Sequence, residues 1–334
     1  MHTASAFSVP SMLHSRRVSG YALIAVCALA LVPSLYANRI GWITRVPIDG
    51  QFHFNRITVP GEVVDLGTIS NDGRIVGEAY GGTPEQYYSF VYTQAGGFVP
   101  LNLPVVAEFV APAGMNDLGQ VAFWWDVGAT RHSGIYDGVN LLELSVAGAS
   151  GIQVGDINDH GDAVGGYWDT SNGTHFYGFL YAGGQYTTLD VPGAPPGETF
   201  AFGINDNGAV VGTYYDSAFH GHGFIYSGGK YTTIDCAQTD DYTQLNDIND
   251  AGQIVGWYIA TGSNLTKGFL YSGGTCQTID TGAFTTEPTG VNDDGVIVGV
   301  SDLVYVGLPE PGTLMLLCTG AIGLGGAIRR KVGG

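Results

Sequence analysis

The sequence predicts an all-β fold: a six-bladed β-propeller of four-stranded blades, closed by strands from both chain ends. Three observations carry this expectation. A motif of the form GIND-x-G-x-VVG occurs six times, its turn glycine falling at Gly73, Gly119, Gly161, Gly208, Gly252 and Gly295. The spacing of about 44 residues is the length of one propeller blade. The 334 residues include 53 Gly with 12% aromatic and 13% charged residues, and helix formers are scarce between residues 40 and 306, as tight turns and short strands require. Finally, one unit is split between the two ends. The last copy, TGVNDDGVIVGVSDLVYV, supplies two strands before Pro309 stops it. The missing hairpin stands at the start, where Gly41 to Thr44 matches GFLY and Arg56 to Gly61 matches TTLDVPG. Such a seam hides two sheet edges, which an open β-solenoid or a sandwich, the second choices, would not need.

Taken in order, residues 1–37 read as a secretory signal peptide. Arg16 and Arg17 precede the apolar run Tyr21 to Val32, and SLYA ends at Ala37, the expected last residue removed. The apolar run is too short to span ~30 Å of hydrocarbon and the right length for a cleaved signal helix. Ser19 and Gly20 stand where a twin-arginine signal carries bulky apolar residues, so the ordinary secretory route is expected.

Residues 38–307 form the repeat domain. The fourth copy shows a whole unit: TFAFGIND, turn NG, AVVGTYY, loop DSAFHGH, GFIY, turn SGGK, YTTID. Gly after Asn or Asp supplies the positive φ of a hairpin turn, and the Gly-Gly pair does the same in the second hairpin. The strands alternate aromatic or β-branched residues with Thr. On this reading the motif is mostly scaffold, a tight hairpin followed by an inner blade strand. The second copy departs, with QVAF at 120–123 and SGIY at 133–136. It and the loops after the VVG step are the places to look for function.

Charge excludes one class of partner. Residues 38–309 hold seven basic and 29 acidic residues, a net −22, which repels phosphate backbones and anionic lipid, so nucleic acid is excluded. Of the four cysteines, Cys236 and Cys276 lie in the repeat domain at different points of the unit. Nothing in their spacing brings them within the ~7 Å between Cα atoms that a disulfide needs, and free thiols are expected.

No catalytic constellation is visible, and no cofactor or metal is expected. DINDHGD (Asp156 to Asp162) and DINDAG (Asp247 to Gly252) look like calcium loops, but four of six copies open with Thr68, Gly114, Gly203 or Gly290. Calcium wants six to eight oxygens, so hairpin turns capping their own backbone are the better reading. His175, His220 and His222 lack zinc spacing. Asp190, Asp235 and Asp280 end corresponding strands, as any repeat would arrange. G-x-S-x-G and Walker motifs are absent. Aromatic pairs after the VVG step are the better lead for binding. Neighbours on a strand point opposite ways, so one ring of each pair faces the inter-blade core and the other outward, as a flat face for sugars. Trp124, Trp125, Tyr215 and Trp257 are the candidate ligand contacts.

Residues 308–334 form a tripartite tail. Pro309-Glu310-Pro311 is followed by an uncharged apolar stretch from Thr313 to Ile328 and by Arg329-Arg330-Lys331. As a helix this stretch reaches roughly 25 Å, a slightly short transmembrane span, with the basic cluster held in the cytoplasm. The tail resembles the PEP-CTERM sorting signal of Gram-negative, exopolysaccharide-producing bacteria. That resemblance implies a membrane-embedded cysteine protease, exosortase, as partner, removal of the helix, and passage to the cell surface or matrix. A plain tail anchor is the alternative. The repeats resemble HAF-type extracellular repeats, with His222-Gly223-Phe224 as the clearest His-Ala-Phe-like step, a family that brings no established activity. The expected function is therefore non-catalytic: binding or structural support towards exopolysaccharide or envelope proteins, with an extracellular glycan hydrolase or lyase as the alternative.

Overall fold

A computed structural model describes residues 37–47, 51–58, 62–81, 86–107, 109–170, 175–236, 242–259 and 265–304. The expected signal helix, the sorting motif and the expected transmembrane helix lie outside them, as do Pro309, Glu310, Pro311, Arg329, Arg330 and Lys331. Among the described residues no helix is long and apolar enough to cross a membrane.

Among the described residues twenty-four strands form six four-stranded sheets. The chain begins with β1 (Ala37–Arg45) and β2 (Asn55–Ile57). Blade 1 is β3 (Glu62–Ile69), β4 (Ile75–Gly81), β5 (Gln86–Thr93) and β6 (Gly97–Pro100). Blade 2 is β7 (Phe109–Met115), β8 (Val121–Val127), β9 (Thr130–Tyr136) and β10 (Leu141–Leu144), and blade 3 is β11 (Gly151–Ile157), β12 (Ala163–Asp169), β13 (His175–Ala182) and β14 (Gln185–Leu189). Blade 4 is β15 (Thr199–Ile204), β16 (Val210–Tyr215), β17 (Gly221–Ser227) and β18 (Lys230–Ile234), and blade 5 is β19 (Thr243–Ile248), β20 (Ile254–Ile259), β21 (Thr266–Ser272) and β22 (Thr275–Ile279). Blade 6 joins β23 (Glu287–Val291) and β24 (Val296–Val304) to β1 and β2, in the order β2-β1-β24-β23.

The sequence match at the seam holds to the residue. Gly41 pairs with Ile57, just as Gly178 pairs with Leu189, Gly223 with Ile234 and Gly268 with Ile279. The ring closes through the first strands: β3, β7, β11, β15, β19 and β23 each contact the next, and β23 contacts β3. The innermost strand is thus the one before the Asn-Asp turn, and the VVG strand is second, off both edges of the sheet.

Between the blades, Phe90, Phe179, Phe224 and Phe269 are fully buried and pair with Gly77, Gly165, Gly212 and Gly256 of the VVG step. A Cβ on any of these glycines would meet the ring at 2.7–2.9 Å. In blade 2 the pair is exchanged: Phe123 stands on β8 opposite Gly134 on β9. QVAF and SGIY therefore preserve one ring per pair with the partners swapped.

Cys236 and Cys276 form a disulfide with Cα atoms 5.7 Å apart, which corrects the expectation of free thiols. The offset within the repeat is what makes it possible. Residues that open an outer strand reach back to the outer end of the preceding blade: Tyr186 Oη accepts from Ser145 N at 2.9 Å and Tyr231 Oη from Asp190 N at 3.2 Å. Cys276 holds the same place in blade 5 and meets Cys236 at the end of blade 4.

Candidate functional site

The six Asn-Asp turns lie together at one end of the ring, around a common cavity. In each of five, one Asn side chain works in two directions. The Asn205 Oδ1 accepts from Ala209 N within its own turn at 2.9 Å, while Nδ2 donates to the Asn249 carbonyl of the next blade at 3.0 Å. Asn116, Asn158, Asn249 and Asn292 repeat the cross-blade bond. Blade 1 has Ser70 instead, and there Arg74 Nη2 donates to the carbonyl of Asp117 at 2.9 Å. A second ring runs beside the first: the backbone N–H groups of Asp117, Asp159, Asp206 and Asp250 donate to the carboxylates of Asp159, Asp206, Asp250 and Asp293. Asp293 N donates to Asn71 Oδ1, and Asp72 N to Asp117 Oδ1. The turns cap their own backbone, as expected, and they also latch every blade to the next.

Below the turns every inner strand carries a register shift at the same place, and bulges of this kind re-aim a side chain. The position after it alternates around the ring: Thr68, Gly114, Asp156, Gly203, Asp247, Gly290. A Cβ at Gly114 would lie 2.2 Å from Asp156 Oδ1, and one at Gly203 would lie 2.7 Å from the Asp247 Cα, so the glycines make room for their neighbours' side chains. Asp156 accepts from Thr68 Oγ1 at 3.3 Å and Ile204 N at 3.2 Å. Asp247 accepts from Ile248 N and Val291 N at 2.7 and 2.8 Å. Burial pushes Asp247 up to about 7, and burial with Asp247 nearby pushes Asp156 well above the carboxylate range. The cavity at this end is about 60 Å³, room for a few waters and not for a sugar. Among the described residues no three His, Cys, Asp or Glu side chains converge to hold a metal ion. This end is built for closure.

The other end of the hairpins is different. Tyr80 stacks on Tyr87 at 5.3 Å, Tyr87 meets Phe109 at 5.6 Å, and Phe109 meets Trp124 at 5.1 Å. This row of rings runs from blade 1 to blade 2, with Tyr87 39% exposed. The Arg131 guanidinium lies 3.7 Å over Trp124, held by two bonds to Asp126 and one to Gln153 of blade 3. A second group joins blades 4 and 5: Tyr215 lies 5.9 Å from Tyr242, which stacks on Trp257 at 4.7 Å.

Beside the first row is a charged cluster at the seam. Arg39 Nη2 donates to Glu287 Oε2 at 2.8 Å, and its Nε lies 3.5 Å from Asp65 Oδ1. Burial lowers the Arg39 pKa, but Asp65, Glu287 and Asp302 outweigh it and hold it above its ordinary value. Glu78 stands opposite Asp65 in register. Burial, then Asp65, pushes Glu78 up to about 8 against the pull of Arg39 and Arg131.

Of the sequence candidates, Trp124 and Tyr215 are half-buried on these aromatic groups. Trp125 and Trp257 are 6% and 8% exposed. In Trp124-Trp125 and Trp257-Tyr258 one ring of the pair is buried and the other half-buried, whereas both rings of Tyr214-Tyr215 and of Tyr167-Trp168 are half-buried. His222 pairs with Asp235 at 3.0 Å, His220 with Asp216 at 3.3 Å, and Asp280 with Lys267, so the strand-terminal carboxylates are tied locally. Arg39, Asp65, Glu78 and Glu287 escaped sequence reasoning, since they come from three blade strands and a closing strand far apart in the chain.

Residues 308–331 match the PEP-CTERM protein-sorting motif. The motif implies processing by exosortase and export to the cell surface or beyond. A comparison with curated proteins found no match. Among solved structures, the chain is similar to the putative TolB from Agrobacterium tumefaciens, at 12% identity and TM-score 0.54, over 80% of this chain and 99% of that one. It is also similar to TolB from Acinetobacter baumannii, at 9% identity and TM-score 0.50, over 83% and 67%. These likenesses show the fold alone.

Proposed function

We propose that the processed chain is a surface or matrix protein whose propeller binds exopolysaccharide without transforming it. The signal peptide delivers it across the inner membrane, the C-terminal helix holds it there, and exosortase releases it. The HAF-like repeats build the ring. The observation that carries the binding reading is the row Tyr80–Tyr87–Phe109–Trp124, a set of ring faces and edges that sugars can stack on. The turn end, small and internally bonded, has no comparable surface.

The test is co-sedimentation of the secreted protein with the producer's exopolysaccharide. Binding should fall about tenfold or more in a Tyr87→Ala, Trp124→Ala double variant, because each lost stacking contact costs on the order of 1 kcal/mol. Absence of co-sedimentation by the folded wild type would count against the reading, and capture of an envelope protein instead would move it to that partner. The cross-strand carboxyl pair Asp65–Glu78 favours a second reading, a glycan hydrolase or lyase. Turnover on a glycan panel that is lost in Asp65→Asn would replace the first.

A further inference from the structure

The first and last strands of the ring leave blade 6 at one place. β1 and β24 are neighbours in its sheet. Val46 N donates to the Gly295 carbonyl at 2.7 Å, Trp42 Nε1 donates to Ser301 Oγ at 3.0 Å, and Arg39 feels the charge of Asp302. Numbers that fall along β1 meet numbers that rise along β24, so the two strands are antiparallel and the start of β1 lies with the end of β24. That end is opposite the Asn-Asp turn of blade 6, which joins β23 to β24 at Asn292 to Gly295. The aromatic row begins at the same end. Arg39, near the start of β1, has its Nε 3.5 Å from Asp65 Oδ1. Asp65 pairs with Glu78, and two positions further along the same ladder Val63 pairs with Tyr80, the first ring of the row. Tyr80 and Tyr87 thus lie one blade away from the exit point, about 10 Å at the usual spacing of packed sheets.

The length of the tail limits how far that end can stand from a membrane. Residues 305–312 lie between β24 and the apolar stretch that opens at Thr313. A segment of this length reaches at most about 30 Å fully extended, and roughly 15 Å as a relaxed flexible chain. Headgroups take up about 5–7 Å of that on each side of the hydrocarbon, which leaves on the order of 10 Å between them and the ring. A blade strand such as β4, Ile75–Gly81, is about 23 Å long at ~3.3 Å per residue. Turning the Asn-Asp end to the bilayer would take the tail back along the whole side of a blade, and almost none of its reach would remain. Charge adds no adhesion, since a net −22 over residues 38–309 repels anionic lipid.

We propose that membrane anchorage gates the aromatic row: an anchored ring holds its row end toward the bilayer, where a polymer chain has too little clearance to lie across Tyr80, Tyr87, Phe109 and Trp124, and removal of the anchor opens the row. This rests on the polysaccharide-binding reading and adds when that surface acts. Binding is then confined to the released protein, so the chain does not cross-link the producer's membrane to its own matrix before it is sorted.

The experiment compares the chain made in cells without exosortase, so that it keeps its anchor and is displayed on spheroplasts, with the released protein from cells that have the enzyme. Fluorescent exopolysaccharide from the producer is the probe, and protease resistance shows that each form is folded. At equal amounts of ring, the anchored form should bind about tenfold less polymer or lower still. A flexible Gly-Ser insert of about 40 residues after Gly307, which adds roughly 35 Å of mean reach, should bring the anchored form to within about twofold of the released one. Orientation is read separately with Leu118→Cys at the turn end and Val127→Cys at the row end, positions 72% and 50% exposed, in a Cys318→Ala background with Cys236 and Cys276 oxidised. A bulky maleimide should label position 127 about tenfold more slowly in the anchored form than in the released form, and position 118 at the same rate in both. An anchored form that binds polymer like the released one overturns the gate and leaves the binding reading standing. So does equal labelling of position 127 in both forms, or an insert that restores nothing. If the released protein binds no polymer, the reading of the row falls and the gate falls with it.

Discussion

Phe123 and Gly134 exchange places relative to the Gly–Phe pairs of blades 1, 3, 4 and 5, and the exchange preserves the volume between the blades. Phe123→Gly alone should cost about 3–5 kcal/mol, the range for emptying a buried aromatic site. Gly134→Phe alone should overpack against Leu141, whose Cδ1 lies 2.7 Å from where a Cβ would stand. The double variant should recover a large part of both losses, and a double-mutant cycle read by denaturant unfolding would show it as a coupling energy. Strict additivity would refute the swap. Two carboxyls also set a pH dependence. Glu78 and Asp247 titrate near 8 and 7 in the folded chain, above their ordinary 4.5 and 3.8. A raised folded pKa means that the native state holds the proton more tightly. The stability these groups contribute is therefore full below about pH 4, and declines through pH 4.5–8 for Glu78 and 3.8–7 for Asp247. The midpoint of thermal unfolding should fall between pH 5 and 8, and Glu78→Gln with Asp247→Asn should flatten that slope. A midpoint that rises over this interval would contradict the burial of both groups.

The outer strands supply the one covalent tie among the described residues. The disulfide joins the end of blade 4 to β22 of blade 5 across a sequence separation of 40, a loop whose closure entropy stabilises by about 4 kcal/mol in the chain-entropy treatment. Cys236→Ser with Cys276→Ser should therefore lower the thermal midpoint by roughly 5–10 °C, read by differential scanning calorimetry with and without reductant. A midpoint unmoved in both would mean that the tie constrains little. At this scale the sequence was informative wherever a rule acts within one blade. Turn glycines, the 44-residue period and the Gly41–Ile57 match all follow from local geometry, so strands and seam could be read in advance. What acts between blades could not be. The hydrogen bond from the Asn205 amide to the Asn249 carbonyl, the alternation of Asp156 and Asp247 with glycines, and Cys236 facing Cys276 depend on a closed ring that sets each repeat beside the next. The Arg39–Glu287 pair spans 248 positions and exists only because the two chain ends share blade 6.

Closure has a consequence for how the whole chain is handled. β24 ends at Val304 and the sorting motif begins at residue 308, so only three residues separate the last strand of the ring from the motif that implies processing by exosortase. In blade 6, Arg39 bonds to Glu287 and Trp42 to Ser301 within the ring, and replacing Pro309, Glu310 and Pro311 with alanine touches none of these residues. The propeller should therefore form, oxidise Cys236 with Cys276 and resist protease as the wild type does. Sorting alone should fail, leaving the full-length chain in the membrane fraction while the wild type appears at the surface or in the medium, shortened at its C-terminus. Fractionation with immunoblotting, and mass spectrometry of the released chain, would read both points. Release of the alanine variant at the wild-type level and wild-type length would show that the motif is not what exosortase acts on in this chain. Retention of a misfolded, protease-sensitive variant would instead place the fault in the ring, which the intact disulfide is there to report.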